Sequence, residues 1–199
     1  MPVYDDPWWT DAGPEEHWDV DRKFTSLAPG FAHQVTTLTE RLAERGWRPL
    51  LWFAWRAPER QEDLFAQHRS RVELGLHNVL DPLAMPAALA ADLVDARSLW
   101  GMQTVSDPAR PGQTHEVPDP RTFDKAASFF RDLGHEAHAL GLWWGGDFQR
   151  ETGSPWAEAG LGWDPGHVQA VSNTMLPEMQ TQTRRAQSAL AERRRLALV

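Results

Sequence analysis

The residues of this chain that are best suited to chemistry are its histidines and carboxylates. The segment Asp164-Pro165-Gly166-His167 places a carboxylate three residues before an imidazole, so both side chains can face one small volume, as a metal site or an acid–base pair requires. The chain has eight histidines and no cysteine, so a zinc site would take its ligands from histidine, aspartate and glutamate. The same spacing is also common in solvated loops, and its meaning therefore depends on the rest of the chain.

His77 and His167 are the pair of histidines that lie outside the predicted helices and close to carboxylates. The others fall on predicted helices, where surface or core-edge positions are usual, or in segments that offer no partner at a suitable spacing: His17, His33, His68, His115, His135 and His138. Among these, His68 lies near the end of a predicted helix and fits either interpretation. The residues alone thus direct attention to His77 and His167.

The charge of the chain argues against nucleic acid as its main partner. The formal net charge is −8, whereas binding to phosphates needs a basic face. The charge is distributed unevenly, because residues 1–24 are acidic and residues 184–195 are rich in arginine. Such ends are usually solvated helix or tail faces, and contact with an anionic polymer or a partner is the alternative interpretation.

Tryptophan is unusually frequent, with 11 residues in a chain of 199. Tryptophans build cores and also stack on sugar rings and peptide planes, so they suit a packing role and a binding role alike. The lack of cysteine excludes disulfides and thiolate chemistry. No apolar run approaches the roughly 18 residues of a membrane span, and the first residues lack the basic and apolar regions of a conventional signal peptide.

The periodicity of the sequence predicts helices that alternate with a few short strands. Phe31, Val35, Leu38 and Leu42 recur at helical spacing, and Gly46 follows them as a helix-ending residue. Helices are predicted over residues 29–45, 58–70, 123–140 and 176–196, and strands over residues 48–56, over residues 90–95 and at the beginning of 141–148. This pattern predicts an α+β fold with a small, mainly antiparallel sheet flanked by helices.

Two stretches, residues 71–89 and 101–121, are predicted to be irregular. The second contains four prolines, at positions 108, 111, 118 and 120, which disfavours regular structure. A loop of this length is uncommon inside a compact domain unless it shapes a site or is mobile. Residues 1–27 are predicted to form an acidic, tryptophan-rich arm with little regular structure of its own.

Several motifs follow one another over residues 28–170. They are Trp55-Arg56 followed by Gln61-x-x-Leu64, then Gly75-Leu76-His77-Asn78, Ala90-Ala91-Asp92-Leu93-Val94, Gly141-Leu142-Trp143-Trp144-Gly145-Gly146-Asp147-Phe148, and Asp164-Pro165-Gly166-His167-Val168. Their order resembles that of the VanY-like family of zinc D,D-carboxypeptidases and L-alanyl-D-glutamate endopeptidases, which cut peptidoglycan stem peptides. The Gly-Leu-x-Trp-Gly-Gly-Asp segment is the most specific part of the resemblance.

The resemblance implies a Hedgehog/D-Ala-D-Ala peptidase-like fold with a zinc cleft on the sheet. The domain organisation would then be an N-terminal arm over residues 1–27, a zinc peptidase domain over residues 28–175 and a basic C-terminal helix over residues 176–199. Two departures stand out. Gly75 occupies the position of the family's serine, and His77 and Asp92 are fifteen residues apart, against seven in the family. An insertion over residues 79–89 would account for the longer spacing if both ligands still face the cleft.

The roles that the resemblance implies begin with a Zn²⁺ ion held by His77, Asp92 and His167. Asp164 would act as the general base on a water activated by the metal. Arg56 would stabilise the developing oxyanion or bind a substrate carboxylate, for which guanidinium geometry is suited. If His77 were not a ligand, Asp81 or Asp95 would be the substitutes.

Three further residues would contact the substrate or support the metal ligands: Gln61, Trp144 and Asp147. In this scheme Trp144 would form a floor beneath the zinc, and Asp147 would orient a ligand histidine. These catalytic and metal-binding roles are not the sole interpretation, since Asp164 also fits a turn cap, Arg56 a surface charge at a strand end, and Asp92 a hydrogen-bond partner of loop amides.

The function implied by the resemblance is zinc-dependent hydrolysis of peptide bonds in peptidoglycan stem peptides, of the carboxypeptidase or the endopeptidase type. Nucleic acid and a membrane span are not expected. Without a predicted signal peptide, we expect a protein made in the cytoplasm that acts on the cell wall after lysis or specialised secretion, with any secretion or immunity partner unidentified. The alternative is a non-catalytic module of the same fold that binds the cell wall or a partner.

Overall fold

The computed structural model describes residues 20–66, 70, 72–107, 110 and 112–197. Most of the predicted N-terminal arm, including His17, lies outside these residues, as does His68. The helices are α1 Pro29–Glu44, α2 Pro58–Ala66, α3 Phe123–Ala139, α4 Pro155–Glu158 and α5 Leu176–Ala197. The strands are β1 Val20–Asp21, β2 Pro49–Phe53, β3 Trp55–Arg56, β4 Ala90–Asp95, β5 Met102–Ser106, β6 Thr114–Pro118, β7 Trp143–Trp144 and β8 His167–Gln169.

The strands form three small sheets. The largest has four strands in the order β2-β4-β8-β7, while β1 pairs with β3 and β5 pairs with β6, both in antiparallel fashion. A one-turn 3-10 helix at Leu76–Asn78 lies between α2 and β4, and another at Gly145–Asp147 directly follows β7. The mixture of helices with small sheets confirms the α+β class. Within the described part of the chain, no helix combines the length and the apolar character that a membrane span requires.

Contacts between Cα atoms group the chain into two units. One comprises Met1–Thr36, Leu51–Ala91 and Gln169–Val199, and the other comprises Thr37–Leu50 and Asp92–Val168. In the first unit, Leu76, Val79 and Ala90 form a buried cluster against which Val171 and Leu176 pack. Leu76 of this cluster directly precedes His77 in the sequence. Its burial therefore fixes the backbone from which the His77 side chain extends.

The core of the second unit is built on α3. Phe129, Phe130 and Leu133 are fully buried, and the ring of Phe130 meets that of Trp156 edge-on at 5.3 Å. Full burial of each such side chain contributes about 1.5–3 kcal/mol to the free energy of unfolding. The helix predicted over residues 123–140 is thereby confirmed. It packs against the strand β7 that follows it.

Helix α1 also follows the sequence prediction. The predicted apolar face is buried along its whole length, from Phe31 at 2% exposure to Leu42 at 0%. Gly46 adopts a φ of 85° just beyond the helix, and the amide of Trp47 donates to the carbonyl of Leu42 at 3.1 Å. A glycine in the left-handed conformation, followed by an amide that donates to a carbonyl of the last helical turn, is the usual way in which glycine ends a helix.

The prediction of an irregular loop over residues 101–121 is wrong, because β5 and β6 form an antiparallel hairpin there. Its register runs from Met102 opposite Pro118 to Ser106 opposite Thr114. Pro118 is the last paired residue of β6, where a missing amide proton costs the ladder least. Pro108 and Pro111 fall in the connection and lie outside the described residues. Prolines at strand ends are compatible with a hairpin. The number of prolines in residues 101–121 therefore does not exclude strands there.

The predicted strand over residues 48–56 is divided in the structure. Ala54 separates β2 from β3, and its carbonyl oxygen accepts a hydrogen bond from the His77 side chain. The predicted helix over residues 58–70 is described only as far as Ala66. The strand predicted at the beginning of 141–148 is confirmed but short, because the 3-10 turn Gly145–Asp147 ends it.

Candidate metal centre

Asp92 and His167 face each other on neighbouring strands, β4 and β8 of the four-stranded sheet. They are 75 residues apart in the sequence, and Oδ1 of Asp92 lies 3.1 Å from Nδ1 of His167. Both residues are buried, with exposures of 8% and 9%. A buried carboxylate is costly unless it is paired or binds a cation, so this pair is a strong candidate for a structural or metal-binding role.

Asp164 lies beside the same imidazole. One of its carboxylate oxygens is 3.8 Å from Nδ1 of His167, and the backbone amide of His167 donates to the Asp164 carbonyl at 3.1 Å. Its side chain is 23% exposed, against 11% for that of His167. The tight turn between them therefore places the more accessible carboxylate at the edge of the buried pair, as the predicted general base requires.

The glycine-rich segment around β7 supports this turn. The indole nitrogen of Trp144 donates to the carbonyl of Pro165 at 2.7 Å. A Cβ atom on Gly145 would overlap the Asp164 carbonyl and would lie 3.0 Å from Cβ of His167. The backbone of the Asp164 turn therefore approaches Gly145 too closely for a side chain to fit between them. Trp144 supports the chain between Asp164 and His167 by hydrogen bonding to it.

Asp147 is paired with a residue on α3. Its carboxylate lies 2.6 Å from Nε2 of His138, and both side chains are about half exposed, at 57% and 51%. The ring of His138 in turn meets the ring of Trp144 edge-on at 5.9 Å. The hydrogen bond that the structure gives Asp147 is therefore to His138, which is not one of the three predicted ligands, and it ties the turn after β7 to helix α3.

His77 lies in the 3-10 turn Leu76–Asn78 with one ring nitrogen engaged. Its Nδ1 is 2.8 Å from the carbonyl oxygen of Ala54. Because a carbonyl can only accept, Nδ1 is the donor of this hydrogen bond. A ligand histidine typically donates its other N–H to a carbonyl or carboxylate in this way, which fixes both the tautomer and the ring orientation.

The segment that lengthens the spacing between His77 and Asp92 closes on itself. A bridge joins Leu80 to Pro86, and the amides of Leu83 and Met85 both donate to Oδ1 of Asp81 at 2.8 Å. The residues of the predicted insertion thus form a compact turn whose ends lie together. Asp81 caps that turn, which accounts for it without a metal.

Asp95, the other substitute ligand, has a structural role at the end of β4. Its carboxylate is fully buried and accepts hydrogen bonds from the amide of Arg48 at 2.9 Å and from Nε of Arg97 at 3.1 Å. Nζ of Lys125 lies 3.7 Å from it. These cations compensate the charge of Asp95, so neither substitute is needed to explain a ligand set.

The ligand atoms of His77, Asp92 and His167 lie within 4.8 Å of one another. Two ligands of a tetrahedral zinc, each about 2.0–2.1 Å from the ion, are about 3.4 Å apart, close to the 3.1 Å between Asp92 and His167. Imidazole and carboxylate are both donors that zinc accepts, and three protein ligands with one open position are typical of catalytic sites. The group could therefore hold a metal ion such as zinc.

Arg56 and Gln61 are joined to each other. Nη1 of Arg56 donates to Oε1 of Gln61 at 2.7 Å, and the guanidinium lies 5.6 Å from the centre of the Phe53 ring. Arg56 is half-buried on β3, whereas Gln61 is only 3% exposed. The surface-charge interpretation of Arg56 does not describe this arrangement, because a buried amide holds its guanidinium.

Sequence reasoning missed two features of this region. Asn78 is 1% exposed and donates from Nδ2 to the Arg56 carbonyl at 2.9 Å, yet its position after a histidine carries no general signal. The ring of Phe148 lies 5.9 Å from that of His167 and 5.6 Å from that of Trp163, which is 37% exposed. The aromatic content of residues 141–163 could have indicated such a surface, but periodicity could not.

A comparison with models of known protein families found no match, and a search of curated proteins found none either. The function of this chain has to be inferred from the residues of the candidate centre and from the order of its motifs.

Proposed function

We propose that this protein is a zinc-dependent peptidase that hydrolyses peptide bonds in peptidoglycan stem peptides. The observation that carries the proposal is the group of His77, Asp92 and His167, whose ligand atoms lie within 4.8 Å of one another and are of the types that zinc accepts. Asp164 adds a partly exposed carboxylate at 3.8 Å from one of these ligands. The same residues occupy the corresponding positions in the motifs that resemble the VanY-like family.

The residues of the chain divide the work of hydrolysis among them. His77, Asp92 and His167 would hold the ion, which when bound supplies a water with a pKa lowered to about 7. Asp164 would accept a proton from the attacking water and would return it to the leaving amine. Arg56 binds the oxygen that becomes negative, or a carboxylate of the stem peptide.

The choice of peptidoglycan rests on the ordered motifs and on the charge of the substrate. Stem peptides end in a carboxylate, for which an oriented guanidinium such as that of Arg56 is a suitable partner. Whether the enzyme is a carboxypeptidase or an endopeptidase depends on the length of chain that its cleft accepts beyond the scissile bond. A digest that separates released D-alanine from larger peptides distinguishes the two.

Metal content is the first test. Protein purified without a metal-affinity step should contain about one zinc per chain by plasma mass spectrometry, and Asp92→Asn and His167→Ala should lose it. Asp147→Asn is the matched control, since this carboxylate pairs with His138 outside the candidate centre. A folded wild-type protein that neither contains nor takes up zinc would remove the metal from the proposal.

Activity is the second test. Purified muropeptides incubated with the wild type should yield new amines or free D-alanine, and Asp164→Asn should abolish the release while retaining zinc. A carboxamide cannot accept the proton, yet it preserves the shape of the turn. No release from any stem peptide by a zinc-loaded enzyme, beside an active control hydrolase, would contradict the assigned substrate.

A module that binds the cell wall without cutting it is the second candidate. It is favoured by two exposed tryptophans, Trp143 at 52% and Trp163 at 37%. Aromatic rings of this kind stack on sugar rings and peptide planes. Sedimentation with insoluble sacculi that survives His167→Ala but fails in Trp163→Ala, together with no hydrolysis by the wild type, would select this candidate.

We further propose that the protein acts on the cell wall. The proposal makes a cellular prediction. Expression with an added export signal should lyse a bacterial host, whereas expression of the same chain in the cytoplasm should not. Toxicity from the cytoplasm alone, retained in the Asp164→Asn variant, would indicate a different target.

A further inference from the structure

The orientation of the Gln61 amide is determined by its surroundings. Nε2 of Gln61 donates to the carbonyl of Val72 at 2.7 Å and to Oγ of Ser70 at 2.6 Å. A backbone carbonyl can only accept, so the amide nitrogen has to point toward Val72. Oε1 is thereby turned the other way as an acceptor, and the residue is only 3% exposed. The amide cannot flip without losing both of its donated hydrogen bonds.

The guanidinium of Arg56 receives this fixed acceptor. Its Nη1 donates to Oε1 of Gln61 at 2.7 Å, a short distance for a hydrogen bond from a charged donor. Arginine side chains lose much rotamer entropy when they are ordered, and a bond made before substrate arrives removes that cost from the binding step. The Gln61 amide is therefore in a position to preorganise Arg56.

Asn78 holds the backbone of the same arginine. Its Nδ2 donates to the Arg56 carbonyl at 2.9 Å, and its Oδ1 accepts from the amide of Gly75 at 2.6 Å. The neighbouring residue, His77, has its Nδ1 2.8 Å from the carbonyl of Ala54. Two successive residues of the 3-10 turn thus bond two carbonyls of the strand end, and Arg56 and His77 are fixed to each other through them.

We propose that Gln61 is the positioning residue of Arg56, and that Asn78 ties Arg56 to His77 so that the arginine and the histidine form one preassembled unit. The two amides, Gln61 and Asn78, are called the amide clamp below. The ligand class that the clamp prepares for is an anionic oxygen, either a substrate carboxylate or an oxyanion that develops during hydrolysis. The role in hydrolysis rests on the proposed function, whereas the restraint on the guanidinium does not.

The restraint can be measured directly by nuclear magnetic resonance of the arginine side chain. In the wild-type protein, rotation about the Cζ–Nε bond of Arg56 should be slow, and its two Nη groups should give separate signals, which Arg56→Lys identifies by their loss. Gln61→Leu has a similar volume but no acceptor, and the signals should merge. Glu62→Leu, on an exposed position of the same helix, is the matched control and should leave them separate. Separate Nη signals that persist in Gln61→Leu would overturn the proposal.

A double-mutant cycle tests whether Gln61 acts through Arg56. Gln61→Leu should lower kcat/KM for stem-peptide hydrolysis by about tenfold or more, as expected for losing a hydrogen bond to a charged group. In an Arg56→Lys background the same change should cost less than about twofold, because the group that it positions is gone. Equal losses in both backgrounds would show a merely structural role and overturn the proposal. Thermal unfolding of each variant separates loss of fold from loss of positioning.

The two experiments also separate this proposal from the proposed function. Slow Nη exchange that depends on Gln61, in a protein that cleaves no stem peptide, supports the clamp and contradicts the peptidase. Fast Nη exchange in a zinc-dependent peptidase does the reverse. Gln61→Glu keeps an acceptor for Arg56 but loses the donated bond to Val72, so it should restore separate Nη signals relative to Gln61→Leu, and a failure to do so would count against the clamp.

Discussion

Substitution of Gly145 by alanine should displace the candidate centre without replacing any of its side chains. The added Cβ would overlap the carbonyl oxygen of Asp164 and would meet Cβ of His167 at 3.0 Å. The overlap is with backbone, which cannot rotate away as a flexible side chain can. The turn that carries Asp164 and His167 therefore has to shift, and the Trp144 bond to Pro165 opposes that shift.

The size of the effect follows from this overlap. Inserting a methyl group into well-packed structure typically costs about 1–3 kcal/mol. For a chain of 199 residues this lowers the melting temperature by about 2–12 °C, since each kcal/mol corresponds to about 2–4 °C. Displacing a residue that supports a metal ligand typically costs about 10–100-fold in metal affinity, and we expect a zinc affinity lowered by that factor.

The assay pairs calorimetry with zinc titration against a fluorescent chelator. Gly30→Ala is the control, because no atom lies within 4 Å of its added Cβ and the residue lies in α1. Alanine is the better helix former, so this control should keep or raise the free energy of unfolding, by up to about 0.5–1 kcal/mol, and should leave the zinc affinity unchanged. A Gly145→Ala protein that melts and binds zinc like the wild type would refute the inferred packing of the turn.

Three further perturbations test other parts of the structure. Trp144→Phe removes the indole bond to Pro165 and should lower the free energy of unfolding by about 0.5–1.5 kcal/mol, with a parallel loss of zinc affinity; an unchanged affinity would mean that the turn is held by other contacts. Asp95→Ala removes the buried acceptor of the Arg48 amide and the partner of the half-exposed Arg97 and Lys125, and should cost about 1–3 kcal/mol in urea unfolding, while zinc stoichiometry stays the same if Asp95 is not a ligand. The side-chain hydrogen bond from Arg121 lowers the pKa of Asp119 from 3.8 to about 2, so its stabilisation is present above pH 4 and lost as the pH falls toward 2; Asp119→Asn should flatten that part of the acid unfolding profile, and an unchanged profile would contradict the assignment.

The helical parts of this fold could be predicted because their signals are local. The buried face from Phe31 to Leu42 repeats at the period of the helix, and Gly46 ends it with a backbone conformation that few other residues adopt. The hairpin of β5 and β6 could not be found in this way. Its strands pair residues such as Met102 and Pro118 across a long connection, and prolines at the ends of strands give the same local signal as prolines in a loop.

The residues of the candidate centre likewise include some that the local sequence indicates and others that only the pairing of distant strands brings together. Asp164 and His167 are close in the sequence, so one turn is enough to bring them together, and their spacing, read with the rest of the chain, indicated the pair. Asp92 reaches His167 only through the pairing of strands that lie 75 residues apart. The family resemblance supplied that information, whereas local propensity could not. Gln61 belongs to a motif of the resemblance, but its bond to Arg56 and the role of Asn78 had no sequence signal, because buried amides are recognised by the partners that surround them.

The long spacing between His77 and Asp92 illustrates why distance in sequence is a poor criterion for a ligand. The orientation of His77 is set by the Ala54 carbonyl, which precedes it by 23 residues, and by the burial of Leu76 beside it. The added residues form a turn whose two ends are bridged at Leu80 and Pro86, and Asp81 satisfies the amides inside it. A closed turn adds residues without adding separation between its ends. The spacing of fifteen residues between His77 and Asp92 is therefore no argument against a ligand role for His77. The metal-content test does not have to take this spacing into account.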